Sequence, residues 1–139
     1  MNPKDLRYWS LPVNCKIGDR YCGKCCFNTE MPLTKSDIVR LQKLGYEKSH
    51  FIVHRRGIPY LRNINGHCIF LDPKTHKCKI YEYRPLGCRL YPLVYDVERR
   101  QVTIDPLCPQ SKYINRKTIT KYAPLLKLLI KEIYGITLY

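Results

Sequence analysis

Acidic side chains are scarce in this sequence: 11 Asp and Glu stand against 25 Lys and Arg, a formal net charge of +14. Such a balance favours phosphate-rich partners, although charge speaks to attraction and not to fold. Long apolar runs are also missing. The longest, Ala123 to Ile130, is interrupted by Pro124 and Lys127 and is too short to span a bilayer. The opening residues, Met1 to Arg7, contain no apolar h-region of a secretory signal, so a cytoplasmic location is expected. No glycine-rich nucleotide-binding loop is present, and no low-complexity tract interrupts the chain.

What the sequence does have is cysteine. Eight occur in 139 residues, together with 12 Tyr and 10 Pro. The length fits one domain, residues 1–139, but the many short segments between Pro and Gly imply a modest core. The cysteines then act as cross-link points that replace missing core. Four disulfides would allow 105 connectivities, yet in a cytoplasmic chain clustered cysteines are more often metal ligands. Four thiolates around Zn²⁺ or a [4Fe–4S]²⁺ core carry a net charge of −2. Two such sites would lower the +14 to +10, and the chain would remain basic.

The clearest local signal is a helix over about 35–44. Thr34 is its N-cap, with Asp37 three residues on as a capping-box partner. Ile38, Leu41 and Leu44 share one face, and Gly45 is placed to end it. A hairpin is expected around the Asp72–Thr75 turn, its strands carrying Cys68 and Cys78. Residues 82–91 read as a compact turn or one-turn helix. A second hairpin pairs Leu93–Tyr95 with Val102–Ile104. A C-terminal helix over about 118–134 buries Tyr122, Leu125, Leu126, Leu129 and Ile133, with Pro124 in its first turn. The expected fold class is α+β: a small, irregular, metal-organised domain of short hairpins and two main helices.

The cysteines are ordered Cys15-x6-Cys22-x2-Cys25-Cys26, then Cys68-x9-Cys78-x9-Cys88, then Cys108. In Cys22-Gly23-Lys24-Cys25 the spacing lets both thiolates face one metal. A thioredoxin-like redox pair shares this spacing but requires a βαβ setting that the sequence lacks. The count of eight equals two four-thiolate sites; it also fits one cluster with spare thiols.

Several stretches together resemble the YkgJ-type cysteine-cluster family, also called CxxCxxCC. They are Cys22-Gly23-Lys24-Cys25-Cys26, Leu33 to Ile38, His67-Cys68-Ile69-Phe70-Leu71-Asp72 and, above all, Cys78 to Pro92. The resemblance covers about residues 15–109. It implies zinc or iron chelation by eight cysteines: Cys15, Cys22, Cys25, Cys26, Cys68, Cys78, Cys88 and Cys108. The opening spacing departs from the family pattern, because six residues separate Cys15 from Cys22. Some members are iron–sulfur oxidoreductases, and the domain also occurs in larger flagellin lysine N-methylases. A complete methylase is not expected here, but a component of a protein-lysine N-methylase system, with a partner enzyme, is one reading.

Scattered single cysteines among Ile, Leu, Phe, Tyr and Pro suit a shielded iron–sulfur cluster better than zinc, which prefers paired short chelate loops. Cys108-Pro109 echoes the Cys-Pro ending of ferredoxin-type sites. His67 and His76 neighbour cysteines but read as surface or supporting residues, since eight thiols are already available. His50 and His54 carry no motif. Arg84 and Arg89 flank Cys88; as cofactor-binding residues they would donate to cluster sulfurs and neutralise the negative site. Tyr81, Tyr83 and Tyr91 read as packing around the metal. Lys112, Arg116, Lys117, Lys121, Lys127 and Lys131 form an acid-free stretch interleaved with Tyr113 and Tyr122, the raw material for stacking on an RNA or ribonucleoprotein. Two functions are thus expected to compete: an iron–sulfur accessory to electron transfer or a modification reaction, and a zinc-stabilised basic module that binds RNA.

Overall fold

The computed structural model describes residues 10–11, 16–17, 20–21, 26–27 and 29–138. Cys15, Cys22 and Cys25, and with them the expected metal-binding pair of the Cys-Gly-Lys-Cys segment, lie outside the described residues. The architecture is α+β, with four α-helices and four two-stranded antiparallel hairpins among the described residues.

Helix α1 spans Lys35–Lys43. Thr34 accepts from Asp37 N–H at 3.1 Å while its own N–H donates to the Asp37 carboxylate at 2.9 Å. Both groups would otherwise be orphaned at a helix start. Gly45, at φ +100°, follows the Leu44 cap, the left-handed step that glycine makes without steric cost. Leu41 is buried and Ile38 packs on the core, but Leu44 is exposed.

Helix α2, Lys48–Phe51, delivers Phe51 to the interior and runs directly into hairpin β3 (Ile52–Arg55) and β4 (Ile58–Leu61). Two-residue strands make up β1 (Lys16–Ile17) with β2 (Arg20–Tyr21), and β5 (Asn63–Ile64) with β6 (His67–Cys68). The expected hairpin around Asp72 shrinks to one bridge, Leu71 to Cys78. Strand pairing ends there because a short 3₁₀ turn over Tyr81–Tyr83 follows almost at once. Helix α3 spans Leu86–Leu90, and β7 (Leu93–Asp96) pairs with β8 (Gln101–Ile104) as the periodicity predicts.

Helix α4 runs over Arg116–Tyr134. It begins two residues before the expected start because the Asn115 side chain accepts from Thr118 N–H at 2.9 Å. Pro124 therefore sits in the helix interior and not in the first turn. It is exposed, as is Thr120, so water can satisfy the carbonyl that proline leaves without an amide.

Two apolar clusters form the interior. The first gathers Leu33, Leu41, Phe51, Ile52, Leu61, Cys68, Phe70, Leu71 and Ile80. The second gathers Leu11, Leu86, Leu90, Leu93, Leu125, Leu126 and Leu129. Helix α3 stands between them: Cys88 packs on the first, while Leu86 and Leu90 belong to the second. Among the described residues, no helix is long and apolar enough to cross a membrane.

Candidate metal centre

Three local features assemble the site. The bridge between Phe27 and His67 lays Cys26 beside the β6 residue Cys68. The Asn63 side chain, opposite Cys68 in the β5–β6 register, donates to Thr29 O at 2.7 Å and fixes the same segment. The Leu71–Cys78 bridge brings the next cysteine across from the core. The chain then turns through Tyr81–Tyr83 and enters α3, which carries Cys88.

The result is a cavity of about 50 Å³ whose wall includes Cys26, Cys68, Cys78 and Cys88. It is well above the roughly 10–15 Å³ of such space needed to hold one water. Met31, Leu61, Phe70, Ile80 and Pro85 supply much of the apolar wall; His76, Tyr81, Arg84 and Tyr91 complete its polar part. Soft thiolate donors in an apolar setting suit zinc or iron. The donor type therefore fits such a metal. Among the described residues, however, no three His, Cys, Asp or Glu side chains are grouped closely enough to hold one ion. These four thiols share one space without closing a coordination shell on their own.

Cys108 lies elsewhere, in the turn after β8, and is not on the cavity wall. It is nevertheless tied to it. The Tyr91 hydroxyl, on the wall, donates to Asp105 Oδ2 at 2.7 Å, and Cys108 N–H donates to Asp105 O at 3.4 Å.

The two flanking arginines differ. Arg84 is on the wall, its guanidinium 4.0 Å from the centroid of the Tyr81 ring and its Nε donating to Tyr81 O at 2.9 Å. Arg89 is buried, 7% exposed, and is directed to the Ser10 hydroxyl and to Glu82 O instead of the cavity. Burial lowers its pKa from the ordinary guanidinium value, and the neighbouring charges of Arg84 and Arg40 lower it further, with Glu82 opposing. Three cations thus lie near the segment that carries Cys88, with Asp37, paired to Arg40, and Glu82 against them.

Asp37 and Arg40 are contributors that sequence reasoning placed only on a helix. The Asp37 carboxylate is fully buried and accepts from Arg40 Nη2 at 2.7 Å and from Leu86 N–H at 3.0 Å. Arg40 also donates to Arg84 O at 2.9 Å and Tyr83 O at 3.3 Å. The pair clamps the backbone that enters α3 and so sets where Cys88 stands. A capping-box aspartate followed three residues later by arginine was the visible signal; its distant partners were not. A Cβ at Gly87 would meet the Met31 sulfur, so any larger residue there would push the flexible Met31 side chain aside.

Residues 14–122 match the CxxCxxCC family, described as "Putative zinc- or iron-chelating domain". The chain belongs to this family. Membership supports metal binding and agrees with the thiol-lined cavity. An uncharacterized protein of Methanocaldococcus jannaschii, MJ0661, is 40% identical over 93 residues, covering 60% of this chain and 50% of the relative. The chain therefore spans about half the length of the curated relative it matches. No solved structure matches.

Proposed function

We propose that the chain carries an iron–sulfur centre at the cysteine-lined cavity and serves as an accessory to electron transfer or to a modification reaction. The observation that carries this reading is the convergence of Cys26, Cys68, Cys78 and Cys88 on one largely apolar cavity. Each comes from a different segment, with no short chelate loop among those four. Cys15, Cys22, Cys25 and Cys108 are the further ligands of the proposal. Arg84, at the wall, and Arg89, on α3 next to Cys88, offset the negative charge of thiolate ligation.

Anaerobic purification followed by metal and sulfide analysis tests this reading. Brown protein containing iron and acid-labile sulfide supports it. Colourless protein with stoichiometric zinc overturns it.

A second reading has its own support in α4. Arg116, Lys117, Lys121 and Lys131 are exposed and Lys127 partly so, with the exposed Tyr113 just before the helix. At 100° per residue these five cations fall within one arc of the helix surface, opposite Leu125, Leu126 and Leu129. A basic stripe beside an aromatic ring suits single-stranded RNA or a ribonucleoprotein. Copurified nucleic acid that salt releases is the expected result; its absence at low salt counts against the reading.

A further inference from the structure

The second apolar cluster continues to the protein surface. Tyr95 on β7 and Ile130 on α4 pack against its outer side, and both line a groove of about 800 Å³. Three local features of the chain build its walls. Along β7, residues two apart share a side, so Val97, just past the strand, joins Tyr95 on the wall. On α4, Ile130 and Tyr134 stand one turn apart, and the Tyr134 hydroxyl is bonded to that of Tyr60 on β4 at 3.0 Å. Gly135, left-handed at φ +72°, then ends the helix, and Ile136 and Leu138 beyond it supply the third wall.

Single exposed apolar side chains are ordinary on a protein surface. Here they are grouped: Val97 is 77% exposed, Ile136 54% and Tyr134 40%, and all three line the same groove. The polar contribution is small. Arg100, in the link between β7 and β8, brings a cation to the wall, with the hydroxyls of Tyr95 and Thr137. Among the described residues, the side chains of Arg100 and Tyr95 make no hydrogen bond or ion pair, and no carboxylate lines the groove. The acids of the same hairpin do not answer Arg100. Asp96 accepts from Glu98 and Arg99 N–H at 3.0 and 3.1 Å and faces the Arg99 side chain at 3.9 Å, while Glu98 is exposed and off the wall. Lys127 and Lys131, one turn before Lys131 and Tyr134 respectively, add positive charge along the α4 side.

An apolar groove with one cation and two hydroxyls on its wall fits a ligand with an apolar body and a single anionic head. Its volume falls within the roughly 300–1,000 Å³ of small-molecule sites. A second copy of this chain would bring a net charge of +14 toward Arg100 and is disfavoured. We propose that the groove binds a long-chain carboxylate, a fatty acid in chemical class. Its tail lies along the apolar walls and its carboxylate pairs with the Arg100 guanidinium, whose planar fork matches that group. The site is separate from the cysteine-lined cavity, and the proposal does not depend on the metal-centre reading.

The test titrates the full chain with cis-parinaric acid, a fluorescent long-chain carboxylate, below its micelle concentration. Dodecanoate, dodecanol and acetate serve as competitors. Val97→Asp places a charge on the apolar wall at a position too exposed to endanger folding. Arg100→Asn removes the cation and keeps a residue that tolerates the left-handed backbone, φ +54°. Arg56→Asn is its matched control, with the same charge change at φ +53° in the β3–β4 link.

The expected result is one bound probe per chain, displaced by dodecanoate but not by dodecanol or acetate at equal concentration. Val97→Asp abolishes binding, Arg100→Asn weakens it about tenfold, and Arg56→Asn leaves it unchanged. Equal displacement by dodecanol overturns the proposal, because the groove would then select no head group. Equal weakening by Arg56→Asn overturns it in favour of diffuse charge attraction. Binding that survives Val97→Asp, or a dimer that this substitution dissociates, overturns it as well.

Discussion

The two apolar clusters are built by different means. In the cluster around α4, seven leucines from one long helix, a five-residue helix, one regular hairpin and the N-terminal segment pack together. Each fully buried leucine contributes about 1.5–3 kcal/mol, and the 19-residue helix satisfies its own backbone. The cysteine-bearing cluster buries larger side chains, Phe51 and Phe70 among them; α1 and α2 supply Leu41 and Phe51, and most of the rest comes from strands of two to four residues, single bridges and turns. Such pieces carry few ladder hydrogen bonds, and a thiol-lined cavity interrupts their packing. One region is held by regular secondary structure; the other calls for cross-links. The cysteines follow that division, since every described cysteine that packs on a core cluster packs on the first.

The largest effect should come from the group that joins the regions. Asp37→Ala strands Arg40 and leaves Leu86 N–H without its acceptor. A loss of about 3–5 kcal/mol in chemical unfolding is expected, the cost of breaking a buried charged pair. Arg40→Ala in an Asp37→Ala background should then cost much less than it does alone.

Cys88→Ser should separate the regions. On the proposed ligation this variant should retain metal less well, and amide exchange should quicken through residues 52–80 while protection persists in α4. Equal loss in both regions would show that the α4 cluster also depends on the metal.

Asn115→Ala acts on the second region only. Removing the cap that fixes the start of α4 should lower stability by about 1 kcal/mol in denaturant unfolding, with metal content unchanged.

Glu132 should give the smallest effect. Partial desolvation of this otherwise exposed residue, with Asp37 nearby, raises its carboxyl above the ordinary 4.5, and Lys35 partly opposes this. A raised folded-state value means that the charged form disfavours the fold at neutral pH. Glu132→Gln should therefore stabilise slightly at pH 7. The gain should fade as pH falls through the raised pKa toward 4.5, where the wild-type carboxyl takes up its proton.

Much of this molecule was legible in the sequence because the signals were local. The Thr34–Asp37 box, Gly45 and the spacing of Leu125, Leu126 and Leu129 specify helices through interactions within a few residues. The family resemblance rested on the Cys78–Pro92 run, and the family match covers it. The Asp72 hairpin was overestimated because an apolar, β-branched stretch cannot signal that a 3₁₀ turn will end it. Pro124 was misplaced because the capping residue, Asn115, competes with a weaker start at Thr118.

Sequence by itself thus determined the α+β elements, the basic charge and cysteines suited to metal. Which cysteines share a cavity, that Arg84 lines it while Arg89 turns away, and that Asp37 holds the α3 entrance were decided by tertiary structure. The same is true of the ring contact between Phe27 and His76, which lie 49 residues apart in the chain. Periodicity and capping report neighbours along the chain, whereas a metal site depends on which distant segments the packing brings together.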